Sequence, residues 1–255
     1  MRDERKHFYS LVKAMTIQDI KVRYKHAVLG FLWVILTPVL QMFIISVLFS
    51  LIIKTPVENY HVFLFSGLLL WNFFAMSLGK AASSIVDQRS IITKAKFPSE
   101  VVPTSIVLSN FFHYVVSSSL LACWVLIFEK VSFLLFLLIP LTLIWIFLLT
   151  LGCSLLLSSY HVRFRDISYV LQIVLQVLFY ATPILYPLHL LPEHYQSFFV
   201  LNPLTGPVMM MQYIYGQISL PSVDLLLLNF LLTILLFILG GMEFRRLSRN
   251  FDDWV

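Results

Sequence analysis

His189 and His194 bracket the stretch HLLPEH, with Glu193 beside the second, so two imidazoles and a carboxylate lie close together. Zinc chemistry would use such a set, but a helical metal pair presents its ligands at i and i+4 on one face, and Pro192 breaks that presentation. The segment therefore reads as polar residues at a membrane edge, and no metal site is expected. Gly79-Lys80 carries the last glycine and the lysine of a phosphate-binding loop, yet Ala81 replaces the serine or threonine and Phe74 the first glycine. No nucleotide is expected to be bound or hydrolysed by this chain, and no catalytic residue stands out. His113 is the ionisable side chain well inside an apolar run. With Asn110 and Ser117 on its face, it reads as hydrogen-bonding glue between helices rather than a proton relay.

Uncharged polar residues carry more information. Tyr169, Gln172, Gln176, Tyr180 and Pro183 fall within roughly 80° of one another at ~100° per residue, so they predict one polar helix face. Trp33, Thr37 and Gln41 form a shorter stripe of the same kind. Hydroxyls, amides and rings together suit sugar, whose apolar faces stack on aromatics while its hydroxyls find hydrogen bonds. The same two stripes would also serve helix–helix packing, and the residues alone leave both readings open.

The elements that position these residues are set by hydropathy. The chain of 255 residues is 59% hydrophobic and 12% charged, against roughly 45–50% and about 25% for soluble domains. Charge-free runs at 27–53, 59–79, 101–128, 131–162, 167–192, 194–223 and 225–242 each reach the length of a membrane span. The run 194–223 holds Pro203, Gly206, Pro207, Gly216 and Pro221 among polar residues, and broken backbone is not tolerated facing lipid. It predicts a pair of short re-entrant or interfacial helices. The fold class expected is all-α integral membrane with six spans, at about 29–53, 61–80, 101–128, 131–158, 167–186 and 225–242. With both termini cytoplasmic, 16 of the 18 Lys and Arg fall inside and only Lys54 and Lys130 outside, which is a strong positive-inside bias. A seventh span would put Arg245, Arg246 and Arg249 outside. The net charge of +5 thus reflects topology and contact with anionic membrane lipids, not nucleic acid. Cys123 and Cys153 fall near opposite membrane faces, so no disulfide is expected between them.

Residues 1–26 predict a cytoplasmic amphipathic helix at the membrane interface. Phe8, Leu11, Val12 and Met15 lie on its apolar side, and Arg5, Lys6, Lys13, Lys21, Arg23 and Lys25 are available to the polar one. These 26 residues hold seven basic residues and no apolar core before a small-residue cleavage site, so the first span is expected to be its own insertion signal. Residues 27–255 form the transmembrane domain, with Pro38 expected to kink span 1 and no soluble catalytic domain expected within it. Between spans 2 and 3 lies DQRSIITKAKFPSEVVP, from Asp87 to Pro103. A short helix from Ser90 to Lys96 is expected to stop at the Phe97-Pro98 step, because a residue before proline disfavours helix. Ser99 and Glu100 then suit the start of the next helix. The result is a rigid cytoplasmic elbow feeding span 3.

Five motifs in order resemble the membrane subunit of bacterial ABC-2-type polysaccharide exporters, and most closely the O-antigen permeases. They are RYKHAVLGFLWVILTPVL entering span 1, TKAKFPSEVVP before span 3, RFRDI before span 5, ATPILYP at its outer end and NPLTGPV beyond it. The resemblance implies a homodimer in the bacterial cytoplasmic (inner) membrane, paired with two copies of an ATP-binding subunit that holds the ATP and Mg. It also implies a lipid-linked polysaccharide as substrate. By the same resemblance, the N-terminal helix and the coupling helix between spans 2 and 3 receive the ATP-driven motion. Arg89, Lys94, Lys96, Phe97, Pro98 and Glu100 are then candidates for that contact, with Arg163, Arg165 and Asp166 of RFRDI beside them. Trp33, Thr37, Gln41, Tyr169, Gln172, Gln176 and Tyr180 become candidate channel lining. Pro187, Asn202, Pro203, Gly206 and Pro207 become an external gate. The basic residues would serve positive-inside retention equally well, and Asp166 would also cap span 5. An ABC-2 permease for capsule, teichoic acid, a drug or a lipid, and a membrane protein outside the ABC class, such as a channel or an integral-membrane enzyme, are the competing expectations.

Overall fold

The computed structural model describes residues 2–25, 29–52, 59–89, 98–129, 131–216 and 218–251, among which there is no strand. Helix α1 spans Arg2–Tyr24, α2 Trp33–Ile52, α3 Tyr60–Asp87, α4 Val101–Phe128, α5 Ile139–Arg163, α6 Ile167–Tyr180, α7 Glu193–Val200, α8 Thr205–Ile214 and α9 Val223–Leu247. Short 3-10 turns lie at Gly30–Leu32, Phe133–Leu138, Leu188–Leu190 and Ser248–Asn250. Four helical stretches among the described residues, Tyr60–Asp87, Val101–Phe128, Phe133–Arg163 and Val223–Asn250, are long and apolar enough to cross a membrane. The expected disruption of residues 194–223 is found as the pair α7 and α8.

Two boundaries differ from the sequence expectation for physical reasons. Helix α3 continues past Lys80 to Asp87, because Ala81 and Ala82 are strong helix formers and neither Gly nor Pro follows before Pro98. Its 28 residues measure ~42 Å against a hydrocarbon core of ~30 Å, so the stretch from Lys80 to Asp87 accounts for the excess. Helix α6 ends at Tyr180 rather than near residue 186. Pro183 offers no N–H and pushes its predecessor out of helix, while the Thr182 hydroxyl donates to Leu178 O at 2.6 Å and closes the last turn. Pro183 is therefore buried beyond the helix and does not belong to the polar stripe.

Helix α3 forms the centre of the bundle. Every residue from Val62 to Leu70 is buried, as expected of a helix that is apolar all round. Helices α4 and α5 pack on it, with Phe73 of α3 stacked on Tyr114 of α4 at 5.2 Å, and α4 meets α5 where Phe111 tilts on Phe147 at 4.9 Å. Helices α5 and α9 meet backbone to backbone: a Cβ on Gly240 would stand 2.1 Å from Gly152 O. Small residues permit such an approach between membrane helices, and the Trp145 indole N–H seals the same seam by donating to Thr233 Oγ1 at 2.8 Å.

Helix α1 lies along α4, with Val12 buried and the Thr16 hydroxyl donating to Ser105 O at 3.4 Å. Arg23, expected on the polar side, turns inward instead and donates to Asn110 Oδ1 at 2.6 Å, with Asp19 3.6 Å away. A guanidinium is retained in such a place when a carboxylate and an amide oxygen meet it. Asn110 in turn donates to Ser77 Oγ at 3.2 Å and so bridges α4 to α3, whereas the His113 ring meets Ser109 O of its own helix at 2.6 Å. Cys123 and Cys153 are both free thiols.

Candidate functional site

The stripe on α6 is exposed along its length: Tyr169, Gln172, Gln176 and Tyr180 all face away from the core, and Leu171 is the residue that α6 buries. At its C-terminal half the helix borders a groove of about 410 Å³, to which it contributes Gln176 and Tyr180. Helix α2 brings Gln41 to the same groove, and α3 brings Leu68, Trp71 and Asn72. The Asn72 amide donates to Gln41 Oε1 at 2.8 Å, and the Trp71 and Phe179 rings lie 5.3 Å apart in the wall. Three of the predicted lining residues are thus brought together, with a ring-walled, amide-edged surface between them. Trp33, Thr37, Tyr169 and Gln172 are exposed but lie outside this groove. Asn72 was missed by sequence reasoning; its signal was an amide inside an uncharged run, which lipid disfavours.

Side-chain amides also hold the turns beyond α6. Asn202 is buried and donates to Ala181 O at 3.0 Å and Thr182 Oγ1 at 2.8 Å, while its Oδ1 accepts from the Leu204 N–H at 3.1 Å. Gly206 donates its N–H to Asn229 Oδ1 at 2.8 Å, and Asn229 Nδ2 donates to Val200 O at 2.7 Å. One asparagine on α9 therefore satisfies an orphan carbonyl at the end of α7 and an orphan N–H at the start of α8. Gly206 has no room for a side chain, since a Cβ would come within 2.8 Å of both Asn229 and Trp145. Pro207 is buried in the first turn of α8, where no donor is needed, Pro203 is half-buried, and Pro187 is buried ahead of the turn Leu188–Leu190. Gln212 closes the set by donating to Pro183 O at 2.9 Å. All five predicted gate residues lie in or beside this fastened unit, and Asn229 is its unpredicted hub.

In the connection between α3 and α4, Lys94, Lys96, Phe97 and the expected helix Ser90–Lys96 lie outside the described residues. Arg89 is exposed just after α3 and Pro98 just before α4. Glu100 occupies the cap position of α4 but makes no side-chain cap bond; its carboxylate instead accepts from Arg245 Nε at 3.2 Å, because the basic last turn of α9 stands beside it. Arg163, Arg165 and Asp166 are exposed together between α5 and α6, with Arg163 held over the Phe164 ring at 5.1 Å. Asp166 precedes α6 in helical conformation and likewise makes no side-chain cap bond, so its expected capping role is not found. No group of three or more metal-ligating side chains occurs among the described residues; the Glu193 side chain of HLLPEH lies outside them.

Comparison with known proteins adds a second line of inference. The pattern of the ABC-2 type transporter family matches residues 10–216. An O-antigen export system permease protein, RfbA, of Myxococcus xanthus is 31% identical over 219 residues, covering 85% of this chain and 84% of that protein. A protein of the same name from Klebsiella pneumoniae is 30% identical over 251 residues, 97% of this chain and 95% of its own. The polysialic acid transport protein KpsM of Escherichia coli is 28% identical over 205 residues, 77% of this chain and 78% of that one.

Proposed function

This chain belongs to the ABC-2 type transporter family, and on that premise we propose that it is the membrane subunit of an exporter moving a lipid-linked, O-antigen-like polysaccharide outward across the bacterial cytoplasmic membrane. The observation that carries the reading is near-full-length similarity to O-antigen export permeases, joined to a groove whose amides and rings suit a glycan. Six spans are formed by α2 to α6 and α9, with both termini cytoplasmic. Helix α6 has 14 residues, or ~21 Å, too short to cross alone; the buried turn after it and the re-entrant pair α7–α8 complete its passage. Two copies of the chain act with two ATP-binding subunits, which hold the ATP and Mg. The cytoplasmic ends of α1, α3 and α4 receive the motion, and the polymer slides along the stripe of α6 and the amide pair Gln41–Asn72. Similarity to KpsM favours a second cargo, a capsule-type polymer.

Affinity purification of the tagged chain from its native membrane, followed by ATP-driven polymer translocation in vesicles, tests this reading. Recovery of an ATP-binding subunit and ATP-dependent movement of lipid-linked glycan are expected. A chain that purifies alone and conducts ions instead would overturn it.

A further inference from the structure

The cytoplasmic ends of the bundle are gathered around one ring near the end of the chain. After α9, the turn Ser248–Asn250 carries the chain on in helical conformation and places Phe251, 2% exposed, edge-on against Phe244 with ring centroids 5.5 Å apart. The two rings share a cluster with Ile85 near the end of α3, Val102 in the first turn of α4 and Val162 at the end of α5, and Met15 of α1 packs on its edge. Beside the cluster, Arg245 on the last turn of α9 donates to Glu100, which immediately precedes α4. Both ends of the connection between α3 and α4 therefore rest on the last turn of α9 and on Phe251. Arg245 is 77% exposed, so this ion pair holds little by itself; the buried ring is the main fastening and the ion pair fixes its direction. Helix α9 in turn touches α5 through backbone at Gly240 and Gly152, a stiff route onward into the bundle.

We propose that residues 244–251 form a clasp that positions the start of α4, so that displacement at the α3–α4 connection is passed to α9 as well as to α4. The inference rests on reading that connection as the receiver of ATP-driven motion. Phe251 and Arg245 are positioning residues: they set where α4 begins and touch no substrate.

The test uses the full transporter with its ATP-binding subunits, carrying Phe251→Ala, Phe251→Leu, Glu100→Arg, Arg245→Glu or the last two together. Amide hydrogen exchange over residues 98–106 and polymer exported per ATP hydrolysed are both read. Phe251→Ala is expected to speed the exchange and to lower export per ATP about tenfold, whereas Phe251→Leu keeps both near the unmodified values. The double charge exchange is expected to restore what each single reversal loses. Unchanged exchange in Phe251→Ala would overturn the clasp whatever the cargo, and faster exchange with unchanged export per ATP would overturn its part in transmission. If the unmodified complex exports no glycan, the transport reading fails separately, and the exchange measurement alone decides the clasp.

Discussion

Asn229 caps two helices that cannot cap themselves. Helices α7 and α8 have 8 and 10 residues, too short to be stable alone, and no side-chain cap of their own is present at either start. Asn229→Ala would leave the buried Gly206 N–H unsatisfied, at ~1–3 kcal/mol, and take the amide donor from the partly buried Val200 carbonyl. Thermal unfolding in detergent should therefore fall clearly below that of the unmodified protein, and an unchanged midpoint would contradict the capping role. Gly240→Ala is expected to be worse, because the added methyl meets Gly152 backbone and neither helix can yield without opening the seam; loss of monodisperse protein on size-exclusion chromatography reads that outcome. At this scale the sequence was half legible. The prolines, Asn202 and Gly206 drew attention as breakers, but Asn229 is a lone amide in the run LLLLNFLL, and nothing local says that its partners lie on two other helices.

Helices show where patterning suffices and where it fails. Helix α4 runs from Val101 to Phe128, between Pro98 and Glu129, and α3 continues past Lys80 because charge, unlike Gly or Pro, does not stop a helix. The polar face of α6 is readable from period alone, but Pro183 shares its angle only on paper, since the helix has ended. The N-terminal helix was recognised, yet the inward turn of Arg23 depends on Asn110, 87 positions away. If the α6 stripe carries the polymer, the triple substitution Gln172→Leu, Gln176→Leu and Tyr180→Leu should cut surface polysaccharide at least tenfold, about the effect of losing several substrate hydrogen bonds, while the chain still inserts. These side chains are exposed, so stability should hardly move; normal surface glycan would instead favour a packing role. Arg23→Ala should loosen α1 from α4 and expose its backbone to faster hydrogen exchange, whereas Arg23→Lys, with a single-point charge in place of a fork, should restore only part of the protection.

For the whole molecule, the expected orientation rests on charge. The bias of 16 basic residues of 18 toward one side predicts that a cysteine at His189 reacts from outside the cell with a membrane-impermeant maleimide, and that one at Arg165 does not, in a Cys123→Ser, Cys153→Ser background. Reaction at Arg165 in intact cells would invert the topology. Subunit number and the proposed ATP-binding partner are not written in one chain's hydropathy, because a face built for a partner and a face built for lipid are both apolar. The exposed apolar residues of α6, such as Ile173 and Val177, illustrate that ambiguity.

Outward movement of a lipid-linked glycan is the central property proposed for this chain. Deleting it and measuring lipid-linked polymer on both sides of the cytoplasmic membrane tests that most directly. The expected result is loss of one surface polysaccharide with accumulation of the same polymer inside, reversed by the unmodified chain but not by the α6 triple substitution. Unaltered surface glycan with no internal accumulation would contradict it.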